Sequence, residues 1–188
     1  RNSEVLIQLA SVVGLTVPSF WLGILMLLAV ATLAQGLAVL GYVPFTTDPL
    51  GAIARLLLPA IALALPILAS LSRLVRSAML ESLGQDYIRT ARAKGLTERL
   101  VLYRHALRNA LIPFITSLGI MSGYLLGGAI VVEQVFAIPG LGRLILGAIA
   151  ERNYPLLQAT LLVVTTGFVL VNFVVDLLYL AIDPRTRA

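Results

Sequence analysis

The sequence predicts an all-α, polytopic membrane protein with four membrane-spanning helices, and three observations carry that prediction. Of its 188 residues 59% are hydrophobic and only 12% charged, with a mean hydropathy of +0.97, which is not the composition of a water-soluble globule. Four intervals are apolar and nearly free of charge over roughly 20 residues, the length that crosses about 30 Å of hydrocarbon. The basic residues cluster between Arg73 and Asn109 instead of spreading along the chain.

The first span lies within the uncharged run from Val5 to Thr47. Its most apolar part is about residues 12–34, with Pro18 early and Trp21 placed as an interfacial anchor. The second covers about 51–75, with Arg55 and Arg73 near its ends, where long basic side chains snorkel to the interfaces. The third covers about 109–132, and the fourth about 153–182, interrupted only by Asp176. Between the third and fourth, the Pro139-Gly140-Leu141-Gly142 turn precedes an amphipathic helix over about 141–152. Its apolar face is Leu141, Leu144, Ile145, Ala148 and Ile149, and it either lies at the interface or dips into a pore mouth. A start at Arg1 without Met reads as a fragment of a longer chain.

Orientation follows from where the basic residues fall. Ten of them lie in the segment 73–108 and the C-terminal tail, against Arg55, Arg143 and Arg152 in the opposite loops. The basic loop and both termini are therefore expected in the cytoplasm of a cell that carries this chain in its inner membrane.

That loop, 76–108, is the most informative region. The residues predict a helix over Arg76–Lys94, a turn at Gly95-Leu96-Thr97, and a second helix over Glu98–Leu111. Arg92 and Lys94 suit the last turn of the first helix, Gly95 suits a C′ position of positive φ, and Thr97 suits an N-cap followed by Glu98. Leu96, Leu100, Tyr103, Leu107 and Leu111 form an apolar stripe on the second helix. Such an element either docks a partner or only orients the chain and touches anionic lipid. Nucleic acid is a poor fit despite a net charge of +5, because the arginines alternate with apolar positions and are tethered to spans at both ends.

Other features have a structural and a functional reading. Pro59 and Pro66 lie seven residues apart on one face of the second span, either bending it around a pathway or simply tolerated in a membrane helix. Gly119, Gly123 and Gly127 form a strip for close helix packing. Glu133 sits at the end of the third span, suited to a structural hydrogen bond or a salt bridge, and Asp176 sits inside the fourth, placed to pair with a loop arginine. At opposite ends of the bilayer, about 25–30 Å apart, the two acids do not make a catalytic pair. With no cysteine, one histidine and none of the phosphate-loop, HExxH, GxSxG or GxGxxG patterns, the residues point away from catalysis.

The segment Asp86-Tyr-Ile-Arg-Thr-Ala-Arg-Ala-Lys-Gly-Leu96, with His105-Ala-Leu-Arg-Asn-Ala-Leu-Ile-Pro113, resembles the EAA loop of ABC transporter permeases. Glu133-Gln-Val-Phe136-Ala-Ile-Pro139-Gly140-Leu-Gly142, Arg152-Asn-Tyr-Pro155, Asn172 through Asp176 and Asp183-Pro-Arg185 are similar, in the same order, to the dipeptide/oligopeptide/nickel branch of binding-protein-dependent permeases. The chain departs from the general motif in having Arg89-Thr90-Ala91 where Glu-Ala-Ala is usual. The resemblance implies a six-helix importer permease, of which this chain is similar to the last four helices. It also implies a coupling helix formed by Arg89, Thr90, Ala91, Arg92, Ala93, Lys94, Gly95 and Leu96. Its small-residue knob of Ala91, Ala93, Gly95 and Leu96 would be flanked by Arg92 and Lys94 against an acidic groove. Pro59, Pro66, Glu133, Phe136, Pro139 and Gly140 become candidates for the pathway or gate, and Gly119, Gly123, Gly127 and Asp176 for packing. The implied partners are a second, homologous permease subunit in a heterodimer, two cytoplasmic ATPases and an extracytoplasmic binding protein. ATP and Mg would be held by the ATPases, and this chain would hold no cofactor or metal. The implied substrate is a short peptide, with nickel chelate or glutathione as alternatives. A structural or assembly membrane protein without transport is the competing class.

Overall fold

The computed structural model describes residues 17–33 and 39–182. No strand occurs among them, so the fold class is all-α. The elements are α1 (Ser19–Leu33), α2 (Pro49–Leu83), α3 (Asp86–Ala93), α4 (Glu98–Val135), α5 (Leu141–Ala150) and α6 (Tyr154–Ile182). Helices α2, α4 and α6 are long and apolar enough to cross a membrane. The shorter α1 falls within the first expected span, of which residues 12–16 and 34 lie outside the described ones.

Side-chain caps mark several of these boundaries. Gly51 N–H donates to Asp48 Oδ1 at 3.0 Å, which makes Asp48-Pro49 an N-cap followed by proline at the first helical position, where no amide donor is missed. Leu156 N–H donates to Asn153 Oδ1 at 3.2 Å at the start of α6. Within α2, Pro59 is buried and Pro66 half-buried.

The loop is partitioned differently from the sequence expectation. Helix α2 does not stop near Val75 but continues to Leu83, because an amphipathic continuation keeps the helical backbone satisfied after the apolar core ends. The break comes at Gly84-Gln85, where Gly84 N–H and Gln85 N–H turn back to the carbonyls of Glu81 and Ser82. The expected helix over Arg76–Lys94 is therefore the end of α2 plus the separate α3. On the far side of the turn, the expected loop helix and the third span are one helix, with Pro113 inside it.

The chain divides into two compact units. In the first, formed within residues 1–69 and 123–168, Phe136 is fully buried. Its ring lies so close to Gly23 of α1 that a Cβ there would stand 2.8 Å from Phe136 Cε2. Gly41, with φ +82°, donates its N–H to the Phe136 carbonyl at 2.9 Å. The buried face of α5 is Gly142, Ile145 and Ala148, while Leu141, Leu144 and Ile149 are exposed. The expected apolar face is thus rotated, because contact with α4 forms where the smallest residue lets the backbones approach.

The second unit, within 70–122 and 169–188, contains a polar contact between α4 and α6. A Cβ on Gly119 would stand 2.8 Å from Asn172 Oδ1, Ser122 Oγ donates to the Gly119 carbonyl at 2.6 Å, and Asn172 Nδ2 donates to Ser122 Oγ at 3.5 Å. The expected glycine strip is modified. In the first unit Gly123 packs on the Phe168 ring, Gly127 meets nothing within 4 Å, and the adjacent Gly128 instead faces Leu63 and Ser19. Asp176 is exposed, and neither ion pair among the described residues uses it, so the expected pairing with a loop arginine does not appear there.

Candidate functional site

The turn between α3 and α4 is built residue by residue from its caps. Asp86 occupies the first turn of α3 and Arg92 the last, each matched to the helix dipole. Gly95 adopts φ +77°. Its N–H donates to the Arg92 carbonyl at 2.9 Å and the Leu96 N–H to the Ala91 carbonyl at 3.4 Å. Those two bonds are the Schellman pattern, which only a residue at ease with positive φ closes without strain. Thr97 then begins α4 with extended backbone and no side-chain cap.

Arg92 and Glu98 clasp the turn from outside, Nε to Oε1 at 2.7 Å and Nη2 to Oε2 at 3.3 Å. The hydrogen bond from Arg92 holds the Glu98 carboxyl below its ordinary range, against the opposing effect of desolvation. A carboxylate with a lowered folded-state pKa adds stability above its unfolded pKa and loses it as pH falls through the lowered one. The clasp is therefore intact at neutral pH and opens only in acid. As an exposed pair it contributes little to stability, but it occupies the guanidinium expected to face an acidic groove.

Beneath the turn, Ile88, Ala91, Val101 and Ala106 form a buried cluster, with Met79, Leu83 and Leu96 packed on it. Val101–Ala106 is a π-helical stretch of α4, whose register shows in the bond from Leu107 N–H to the Leu102 carbonyl. Bonds of that spacing bring residues five apart toward one side, so Val101 and Ala106 both face α3. An uninterrupted 3.6-residue period would separate them. The apolar stripe counted from the sequence is therefore not the buried face here: Leu100 is 37% and Tyr103 66% exposed. The expected knob is also divided. Ala91 and Leu96 pack inward, as the apolar contact of a Schellman motif requires, while Arg89, Thr90, Ala93, Lys94 and Gly95 are exposed.

The pathway candidates gather in part. Glu133 Oε2 accepts the Arg143 N–H at 2.9 Å, and a Cβ on Gly140 would fall on the Glu133 carboxylate. Glu133 thus caps the N-terminus of α5 from a neighbouring helix, a role that spacing alone does not reveal. Phe136 is buried beside it in sequence, Pro139 is exposed, and Ala137 turns the chain with φ +55°.

Three long apolar helices, with a glycine-capped basic turn between two of them, define a multi-pass membrane protein. Residues 4–188 match the family of binding-protein-dependent transport system inner membrane components, and the chain belongs to that family. It is 48% identical over 177 residues to a Brucella abortus protein named for a peptide transport system permease, covering 94% of this chain and 56% of that protein. It is 40% identical, with the same coverage, to a Sinorhizobium fredii protein named as a peptide ABC transporter permease. To the dipeptide transport system permease protein of Escherichia coli it is 52% identical over 136 residues, 72% of this chain and 40% of that protein. The chain spans about half the length of the curated relatives it matches.

Proposed function

We propose that this chain belongs to the transmembrane permease subunit of an ATP-driven importer of short peptides, and that α3 with the Gly95 turn is where a cytoplasmic ATPase engages it. The observation that carries this is the turn itself: a Schellman-capped helix end, clasped by Arg92 and Glu98 and braced on a buried cluster, with small and basic side chains on its exposed side. A rigid knob tied to two long apolar helices is suited to passing a push into the membrane. The names of the relatives support peptides as cargo, and the excess of basic residues in 73–108 supports a cytoplasmic loop.

In this reading the ATPases hold ATP and Mg, a second permease subunit completes the pathway, and an extracytoplasmic binding protein delivers the peptide. The chain supplies no chemistry. ATP binding favours one of two membrane arrangements by contacting α3 differently in each, and α2, with Pro59 and Pro66 in its apolar part, is the span built to bend between them. The test is uptake of a labelled dipeptide by vesicles containing the full-length permease, its partner subunits and the binding protein. Uptake that requires both ATP and the binding protein is expected. Uptake of nickel chelate or glutathione but not peptides would move the substrate class, and ATP-independent accumulation would overturn the reading.

A further inference from the structure

We propose that Tyr87 is a positioning residue for coupling: its hydroxyl locks α3 to the end of α2 and to the π-helical stretch of α4, so that movement of the turn is carried into both helices. This rests on the coupling role of α3 proposed above and names the link inside the permease on which that role depends.

The hydrogen bonds run in one direction. Ser82 Oγ, on a residue 6% exposed, lies 3.2 Å from the Ala106 carbonyl, to which it donates its only proton. It also shares a short hydrogen bond with the Tyr87 hydroxyl, and since its proton is already used, Tyr87 must be the donor there. The Tyr87 oxygen in turn accepts from Asn109 Nδ2 at 2.9 Å, and the same nitrogen lies 3.3 Å from the His105 carbonyl. One phenol therefore joins the last turn of α2, the first turn of α3 and two carbonyls in or beside the π turn. Every donor in the chain Asn109–Tyr87–Ser82–Ala106 has an acceptor, and the chain is anchored at its buried end, Ser82 and Ala106, while Tyr87 and Asn109 are exposed. The apolar cluster under α3 holds it down but has no directional preference against sliding; the Tyr87 hydroxyl supplies that direction. Tyr87 lies at the opposite end of α3 from Gly95, so the helix is held at one end by this network and presents its exposed knob at the other.

The experiment uses the full transporter in proteoliposomes, measuring ATP hydrolysis and peptide uptake separately, with co-purification of the ATPase as the assembly readout. Tyr87→Phe removes one oxygen. It is expected to retain the ATPase and its hydrolysis while transported peptide per ATP falls about fivefold, the scale of one net hydrogen bond. Ser82→Ala breaks the same chain with the ring in place and carries the test if Tyr87→Phe does not assemble. Because the two variants share the Ser82–Tyr87 bond and each removes one further bond, the double variant is expected to lose less than the sum of the two single losses. A wild-type transport-to-hydrolysis ratio in both variants, or fully additive losses, overturns the proposal. If Gly95→Val lowers the ratio while the Tyr87 and Ser82 variants do not, the network proposal alone fails. If wild-type permease neither retains the ATPase nor couples to it, the underlying reading fails as well.

Discussion

Gly95→Val is expected to lower peptide uptake by about tenfold while permease abundance in the membrane stays near wild type, the scale of a coupling free energy of one to two kcal/mol. The cause is conformational and not steric. Gly95 holds φ +77°, and a Cβ added there meets nothing within 4 Å. A β-branched residue in that region costs about 1–2 kcal/mol, which the turn avoids by giving up the Gly95 and Leu96 hydrogen bonds to the Arg92 and Ala91 carbonyls. Leu96 then leaves its place on the cluster under α3, and the knob loses its fixed shape. Gly95→Asn separates this from a requirement for glycine as such, because asparagine tolerates positive φ. It is expected to retain most of the uptake, and wild-type uptake by Gly95→Val contradicts the assignment.

The second large effect is expected at Gly142. A Cβ there would lie 2.5 Å from the backbone Cα of Ile130 and 2.9 Å from Glu133 Oε2, and backbone cannot rotate aside as a side chain can. Even Gly142→Ala must push α5 away from α4, at a cost of about 3 kcal/mol, the upper part of the overpacking range. Glu133→Ala leaves that contact intact but removes the acceptor of the Arg143 N–H, costing about 1 kcal/mol as cap losses do. Gly147→Ala, which faces open space, is the neutral control. The readout is labelling of Ala148→Cys, buried against the rest of its unit, by a membrane-impermeant maleimide. Labelling rises strongly in the Gly142→Ala background, slightly with Glu133→Ala and not with Gly147→Ala; protection throughout contradicts the packing account.

The parts of this molecule that local physics determines are legible in its residues. The apolar intervals locate the long helices, because membrane burial depends on length and charge alone, and Gly95 followed by Thr97 and Glu98 marks the turn. What composition does not reveal depends on contacts between elements. Helix α2 runs on to Leu83 because helix formation continues past the apolar stretch, so the absence of charge locates the span but not the end of the helix. The π turn at Val101–Ala106 re-registers α4, so a stripe counted at helical spacing picks out Leu100 and Tyr103, which are exposed, over Val101 and Ala106, which are buried. The same limit applies to Glu133 and Tyr87, whose partners Arg143, Ser82 and Asn109 lie 5 to 22 residues away. Asp86-Tyr87 falls inside the single helix expected over Arg76–Lys94; the break before it and its use as a junction appear only in three dimensions.

The central claim, that α3 and the Gly95 turn are the surface on which an ATPase acts, is tested most directly by cross-linking. Ala93→Cys, exposed on α3, is introduced into the full-length permease and assembled with ATPase subunits that carry single cysteines around their permease-facing surface. Rapid disulfide formation with the ATPase, changing in rate when ATP is bound, is the predicted result, with Ala91→Cys, buried under the helix, as the unreactive control. No cross-link from Ala93→Cys to any ATPase position in a complex that still transports would contradict it.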